Sequence, residues 1–193
     1  MSTDGRVRCG WAEVRPGPDA ELYRDYHDLE WGRPVTDGSA LFERLSLEAF
    51  QSGLSWLIIL RKREGFRRAF CDFDLGKISG FADDDVQRLL ADVSIVRNRA
   101  KIEATIGNAR AAAELGSPQD FSDLLWSFAP PRRPRFAELS EIPTVSAESK
   151  AMAHELKRRS FRFVGPTTAY ALMQATGMVD DHVRACWVRP ETR

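Results

Sequence analysis

The stretch SAESKAMAHELKRRSFRFVGPTTAYALMQATG (residues 146–177) predicts two short helices joined by the turn SFRFVG. Pro166 directly follows Gly165 and suits the first turn of a helix, where its missing N–H group would be unpaired anyway. The backbone N–H groups at such a helix start can hold a phosphate, and the basic residues of KRRSFR (157–162) would add positive charge. From these residues alone, an ordinary helical hairpin and a phosphate-binding hairpin are both open.

The rest of the chain carries a similar helical periodicity and has no alternating strand pattern of useful length. Apolar residues recur at helical spacing in ALFERLSLEAFQ (40–51), WLIILRKREGFRRAF (56–70) and RAKIEATIGNARAAA (99–113). Two shorter helices are predicted in DDDVQRLLAD (83–92), from the acids in its first turn, and in SPQDFSDLLWSF (117–128), from Ser117 as a cap. The length of 193 residues fits one domain with a sizeable core. The sequence therefore predicts an all-α fold, in a single helical domain over residues 1–193 with two lobes.

Charge and hydropathy argue against a protein that is basic overall and against one that spans a membrane. The chain has 28 basic and 28 acidic residues, so it is not basic overall. Local basic clusters occur at 61–68, 97–101, 130–135 and 157–162, and either a solvated surface or a face for a polyanion would explain them. No apolar run is long enough to span a bilayer, and the N-terminus lacks an apolar signal region, so we expect a cytoplasmic protein without a membrane partner.

Cysteine and histidine residues near both ends of the chain suggest a metal site. Three cysteines argue against a disulfide framework. His182 and Cys186 are four residues apart and would share one face of a helix, while Cys9 and His27 lie near the other end. A Cys₂His₂ zinc site would close if the termini met. The alternative is two packing cysteines and two hydrogen-bonded histidines.

Several strings resemble those of a known enzyme family. VGPTTA (164–169) resembles the hydrophobic-Gly-x-x-Thr-Ala pattern in the hairpin of helix-hairpin-helix DNA glycosylases. In chain order, further strings resemble the 3-methyladenine DNA glycosylase I family: RCGW (8–11), YHDLEWG (26–32), LEAFQSGLSW (47–56), KREGFR (62–67) and DHVRAC (181–186). The resemblance runs from about residue 8 to residue 190, which is essentially the whole chain.

The resemblance implies a helix-hairpin-helix glycosylase fold with its hairpin element at about 147–176. In the family, one structural zinc ion per chain ties the termini together. Carried over to this sequence, the implied ligands are Cys9, His27, His182 and Cys186. A site with four protein ligands is closed, so the metal would be structural and would take no part in the reaction.

The resemblance also implies a function. Family members are monofunctional base-excision-repair glycosylases that flip an alkylated adenine out of double-stranded DNA and hydrolytically release 3-methyladenine, leaving an abasic site. We expect a monomer that acts in this way. Two alternatives are a zinc-stapled helical protein that binds alkylated lesions without excising them, and a glycosylase for another alkylated base.

Glu48 is the residue whose placement most needs a reason. At helical spacing it shares a face with Leu41, Leu45 and Ser52, and an isolated carboxylate against apolar surface is costly. The resemblance implies that Glu48 reads the flipped base within an aromatic pocket, where the cationic methylated base would be attracted to ring faces. Glu48 is also expected to be catalytic, since its charge would help to stabilise positive charge in the reaction. The implied base-binding residues are Trp11, Tyr23, Tyr26, Trp31, Glu48 and Trp56. Core packing is the alternative for the aromatic residues.

The resemblance implies five further residues that contact DNA. The DNA-binding set is Gly53, Leu54, Arg162, Gly165 and Thr167. Gly53 and Leu54 would form the wedge that fills the gap left by the flipped base, and a helix-ending glycine with its hydrophobic contact is compatible with that. Thr167 stands where lyase members carry a lysine, so strand cleavage is not expected.

Asp180 in VDDHV aligns with the aspartate that the wider superfamily uses in catalysis. It would stabilise the positive charge that develops on the sugar, or orient water. The alternative is a structural cap beside His182.

Overall fold

The computed structural model describes residues 4–13 and 17–189, and within them the secondary structure is entirely helical, which confirms the predicted all-α class. Residues 1–3, 14–16 and 190–193 of the predicted domain lie outside the described residues. The α-helices are α1 (Pro18–Leu29), α2 (Gly38–Gln51), α3 (Trp56–Ala69), α4 (Leu75–Ser79), α5 (Asp83–Ala91), α6 (Arg99–Ala113), α7 (Pro118–Trp126), α8 (Ala147–Arg158) and α9 (Pro166–Ala175). Short 3₁₀ turns lie at Gly10–Glu13, Cys71–Phe73 and Leu139–Glu141.

The larger apolar cluster is built around α2. Leu41, Phe42, Leu45 and Phe50 have no exposed surface, because the hydrophobic residues of this helix recur every three or four positions. Phenylalanines of neighbouring helices surround them, and the rings of Phe50 and Phe66 lie 4.6 Å apart. Helix α2 also packs against α9, which places the hairpin helix beside the helix that carries Glu48.

A second apolar cluster joins the two ends of the described chain. Cys9, Trp31, Val183 and Cys186 all belong to it. The backbone N–H of Trp187 donates to the carbonyl of Val7 at 2.8 Å, which ties the two terminal segments together. No helix in the described part of the chain has both the length and the apolar character needed to cross a bilayer.

The turn between α8 and α9 is held from outside by α6. The side chain of Asn108 accepts from the backbone N–H of Arg162 at 2.8 Å and donates to its carbonyl at 3.0 Å. Both backbone polar groups of Arg162 are therefore satisfied by one amide. Arg162 also donates through its guanidinium to the carbonyl of Glu103 at 2.6 Å. The start of α9 is thus fixed relative to the core.

The turn between α2 and α3 is held by a buried lysine. The ammonium group of Lys101, on α6, donates to the carbonyls of Phe50 at 2.8 Å and Ser52 at 2.5 Å. Only 8% of Lys101 is exposed, so its charge is compensated by carbonyls at the negative end of a helix. Burial lowers the pKa of Lys101. In the turn itself, Gly53 follows Ser52 and has a φ of 80°, a conformation that favours glycine. Gly53 leads into the exposed Leu54.

Candidate active site and metal centre

A cavity of about 670 Å³ lies between α1, α2, the start of α3, the segment 139–144 and α9. Its size suits a single small ligand. All six residues of the predicted base-binding set line it: Trp11, Tyr23, Tyr26, Trp31, Glu48 and Trp56. Thr167, predicted to contact DNA, also lines it. The lining residues that were not predicted from the sequence include Gln51, Ile142, Tyr170 and Gln174.

The aromatic side chains form a connected wall. The ring of Trp11 lies edge-on to Tyr23 at 5.8 Å and to Trp31 at 5.1 Å between centroids. Tyr26 and Trp56 lie 5.2 Å apart. Edge-on contacts of this kind are favourable beyond their buried area. Because the rings are in contact with one another, the wall is continuous and can face a flat ligand.

Glu48 is buried in this wall, with 7% of its surface exposed. Burial raises the pKa of the Glu48 carboxyl to about 8, against the opposing effect of the Arg44 guanidinium. Within the described residues, no group donates a hydrogen bond to this carboxylate. Burial, with Glu48 as the next contribution, also raises the pKa of Tyr26. The surroundings of Glu48 therefore disfavour negative charge, and a cation bound in the cavity would relieve that penalty.

The side of the cavity formed by α9 is backed by a polar network. Tyr170 donates through its hydroxyl to Asp181 at 2.7 Å, and the amide nitrogen of Gln174 donates to the same carboxylate oxygen at 2.9 Å. Arg133 donates to the other oxygen of Asp181 at 2.6 Å. The spacing 167, 170, 171 and 174 places the lining residues of α9 on one helix face, and this pattern was available in the sequence.

Asp180 occupies a different position from its neighbour. It is not among the cavity-lining residues. Its carboxylate accepts from Arg135 at 2.7 Å and from the backbone N–H of His182 at 3.3 Å. These contacts correspond to the cap beside His182 that was the alternative to a catalytic role.

The predicted metal ligands come together in the second apolar cluster. Cys9, His27, His182 and Cys186 are fully buried, and their ligand atoms all lie within 4.8 Å of one another. The sulfur of Cys186 lies 3.6 Å from Nε2 of His27 and 3.5 Å from Nδ1 of His182. A tetrahedral zinc ion separates a sulfur and a nitrogen ligand by about 3.5 Å. The segment that carries His182 and Cys186 is a turn and not the expected helix.

Each histidine is oriented by a partner on its outer nitrogen. Nδ1 of His27 lies 2.7 Å from the Asp28 carboxylate, and Nε2 of His182 lies 3.1 Å from the carbonyl of Trp31. Both partners are acceptors, so each histidine carries its proton outward and points a lone pair into the cluster. Gly32 permits this approach, because a β-carbon there would lie 2.9 Å from Nε2 of His182. These residues fit a divalent metal ion with two thiolates and two neutral imidazoles.

The predicted DNA-binding residues lie at two exposed turns. Gly53 and Leu54 form the α2–α3 turn, flanked by the cavity-lining residues Gln51 and Ser55. Gly165 and Thr167 are exposed at the start of α9. Arg162 is exposed as well, although its guanidinium is bonded to α6 as described above.

The basic clusters are less available than their composition indicates. In the 61–68 cluster, Arg61 pairs with Asp19, Arg63 with Glu30 and Arg67 with Glu43. In the 157–162 cluster, Arg158 and Arg159 both pair with Glu155. Much of the positive charge is therefore matched within the protein, and a phosphate would compete with these acids.

Comparison with known proteins identifies close relatives. A sequence profile of the methyladenine glycosylase family matches residues 17–189. The DNA-3-methyladenine glycosylase 1 of Escherichia coli (strain K12) is 46% identical over 188 residues, which cover 95% of this chain and 97% of that protein. A crystal structure of a 3-methyladenine DNA glycosylase I (TAG) is similar to this chain with a TM-score of 0.88 and 44% identity, covering 95% of this chain and 100% of that one. The TAG of Staphylococcus aureus, solved to study 3-methyladenine recognition, has a TM-score of 0.86 and 34% identity, covering 94% and 97%.

Proposed function

The chain belongs to the methyladenine glycosylase family, and we propose that it is a base-excision-repair enzyme that hydrolytically releases 3-methyladenine from alkylated DNA, leaving an abasic site. The observation that carries the proposal is Glu48, a buried carboxylate without a hydrogen-bond donor among the described residues, set in an aromatic cavity. Action on double-stranded DNA, as a monomer and in the cytoplasm, is part of the proposal.

Recognition follows from the charge of the damaged nucleotide. Methylation at N3 makes the base cationic while it is attached to the sugar. Each good contact between a cation and an aromatic face stabilises the complex by about 0.5–2 kcal/mol. The wall that includes Trp11 and Trp56 supplies such faces, and ionised Glu48 supplies the opposite charge. A neutral, undamaged adenine would forfeit both contributions, so selection occurs in the cavity after the base is flipped.

Bond cleavage needs little acid catalysis. The electron pair of the glycosidic bond moves onto the base, which leaves as a neutral molecule, and the positive charge moves to the sugar. Water then adds to the sugar carbon and loses a proton. The buried carboxylate of Glu48 stabilises positive charge through this transfer. Asp180 remains a predicted participant, although its contacts favour the role of a cap.

A structural zinc ion belongs to the same proposal. The ligands would be Cys9, His27, His182 and Cys186, one ion per chain. The metal would cross-link the terminal segments beside the cavity, and the bonds that each histidine makes through its outer nitrogen support this assignment. With all four positions taken by protein, the ion supplies folding energy and no chemistry.

We propose that DNA is held at the two exposed turns. Leu54 at the α2–α3 turn would enter the gap in the duplex, since its side chain is 37% exposed and Gly53 leaves open space beside it. Backbone N–H groups at the start of α9, near Gly165 and Thr167, would hold a phosphate. Arg162 would contribute by fixing this turn. We also propose that the hairpin of about 147–176 is part of a single helical domain whose two lobes enclose the cavity.

Release of radiolabelled base from methylated DNA tests the function. Duplex DNA treated with a tritiated methylating agent should yield free 3-methyladenine, identified by chromatography, and leave abasic sites in intact strands. Glu48→Gln should slow this release, whereas Glu43→Gln, the same change on α2 outside the cavity-lining set, should not. Binding of the methylated DNA without any release of base would refute the proposal in favour of a lesion-binding protein.

A further inference from the structure

Asp181 is a buried acceptor that determines how its neighbours are oriented. It has 1% of its surface exposed and accepts hydrogen bonds from Arg133, Tyr170 and Gln174 at 2.6, 2.7 and 2.9 Å. An ionised carboxylate accepts hydrogen bonds and does not donate them. The amide group of Gln174 must therefore present its nitrogen to Asp181.

The other end of that amide is left for the cavity. Gln174 lines the cavity, and with its nitrogen held by Asp181, its carbonyl oxygen Oε1 lies on the opposite side of the amide group. Among the described residues, none donates a hydrogen bond to this oxygen. A half-buried acceptor without a donor is costly unless a ligand or water supplies one.

The cavity thus offers two acceptors to a bound base, Oε1 of Gln174 and the carboxylate of Glu48. Resting on the function proposed above, we propose that Gln174, oriented by Asp181, reads the exocyclic amino group of the flipped base and selects methylated adenine over methylated guanine. An amino group has two N–H donors and can satisfy both acceptors. Gln174 is then a specificity-determining residue, and Asp181 is a positioning residue that acts through it.

Charge and aromatic contacts alone do not make this distinction. N3-methylated guanine carries the same methyl group and the same positive charge, so the aromatic faces and the negative charge of Glu48 attract it as well. Only the hydrogen bonds that Gln174 and Glu48 accept depend on the amino group. Its six-position bears a carbonyl oxygen in place of the amino group. That oxygen would face Oε1 of Gln174, acceptor against acceptor, and both groups would lose their hydrogen bonds. Mispairing of this kind reduces reaction by at least about tenfold.

The test is the ratio of two released bases. Duplex DNA treated with tritiated methylnitrosourea contains both 3-methyladenine and 3-methylguanine, and chromatography separates them. Gln174→Met keeps the length of the side chain and removes both amide groups. We expect release of 3-methyladenine to fall about tenfold, with release of 3-methylguanine unchanged or raised, so that the ratio falls at least as much. Asp181→Asn frees the amide to rotate and should shift the ratio in the same direction.

A matched control exists on α7. The exposed Gln119 also donates its amide nitrogen to an aspartate, Asp123, at 2.7 Å, but it does not line the cavity. Gln119→Met should leave both rates unchanged. Circular dichroism and thermal melting test whether Gln174→Met is folded. The ratio measured with this variant tests the role of Gln174 even if Asp181→Asn does not fold.

The outcomes separate this proposal from the proposed function. If release of both bases falls equally in Gln174→Met, the role of Gln174 is structural and the assignment is overturned. Unchanged release of both bases would overturn it as well. A wild-type protein that releases neither base would instead refute the glycosylase function itself.

Discussion

Glu48→Gln should stabilise the empty protein at alkaline pH, because the wild-type carboxyl resists ionisation in its cavity. Burial raises its pKa from an ordinary value of 4.5 to about 8. A group whose pKa is raised by folding contributes stability that is fully present below about pH 4.5 and is lost as the pH rises through about 8. Glutamine has nearly the same shape and no charge to bury, so the variant should not show this loss.

The size of the effect follows from the shift of about 3.5 pH units. At about 1.36 kcal/mol per unit, full ionisation costs the folded protein about 5 kcal/mol. Between about pH 5.5 and about pH 8.5, the difference in unfolding free energy between variant and wild type should grow by about 3 kcal/mol. Urea unfolding at both pH values, followed by tryptophan fluorescence, measures this difference. Glu43→Gln on the same helix controls for the general loss of a carboxylate.

Activity should move in the opposite direction to stability. A cationic base in the cavity interacts with ionised Glu48, so binding of the lesion draws the pKa of Glu48 down and recovers part of the cost. Glu48→Gln should therefore be more stable and less active. A variant whose stability advantage is the same at both pH values would refute the argument that burial of charge at Glu48 is what the ligand compensates.

The remaining predictions concern the metal, the DNA-facing turn and the product. Purified protein should contain one zinc ion per chain by elemental analysis, and the finding of no metal in protein never exposed to chelator would contradict the assignment. The variant Cys186→Ala should lose the zinc and unfold at a lower denaturant concentration, whereas Cys71→Ala, outside the cluster, should keep it. Because Lys101 holds the α2–α3 turn, Lys101→Met should weaken binding to duplex DNA with an abasic site about tenfold or more, while free 3-methyladenine should still quench tryptophan fluorescence. Lys101→Arg should restore part of the DNA binding. Equal loss of DNA binding and of 3-methyladenine binding in Lys101→Met would indicate general unfolding. Borohydride should trap no covalent adduct with DNA, because Thr167 supplies no amine for a Schiff base, and a trapped adduct would disprove the monofunctional reaction.

Structural features that depend on a strong local sequence pattern were predictable from the sequence. The helical class, the paired helices at the C-terminal end and the clustering of Cys9, His27, His182 and Cys186 were predicted from periodicity, spacing and resemblance. Helices α1 and α4 were not predicted. Helix α1 has few apolar residues among PDAELYRDYHDL, and α4 has only five residues. In both, packing against the rest of the protein decides the structure where intrinsic periodicity is weak.

The network behind α9 shows what a sequence cannot supply. VDDHV contains two adjacent aspartates, and resemblance alone aligned Asp180 with a catalytic position. The backbone turn there directs Asp180 to Arg135 and Asp181 to Tyr170 and Gln174. Two neighbouring residues outside a helix can point in unrelated directions, and only the fold determines which one backs the cavity.

The ion pairs of the basic residues could not be predicted from the sequence either, because they too depend on the fold. Arg63 and Arg44 both donate to Glu30, which is distant from each of them in the sequence. Hydrogen bonds from Arg63 and Arg44 hold the pKa of Glu30 below its ordinary value despite burial. A count of arginines within 61–68 therefore overstates the charge available to phosphate, since an arginine already paired with a carboxylate gains less from a new anion.

The cluster of Cys9, His27, His182 and Cys186 and the aromatic cavity share a wall, and under the proposed function this would link folding to recognition. The ring of Trp31 lies 4.7 Å from that of His182, and Trp11 lies 5.2 Å from His27. Both tryptophans also line the cavity. A ligand that fixes the two histidines would therefore fix the aromatic faces on which a cationic base rests. In this arrangement a metal bound by the four residues would contribute to selectivity without touching the base, because a flat cation gains its full attraction only from rings that are already in place.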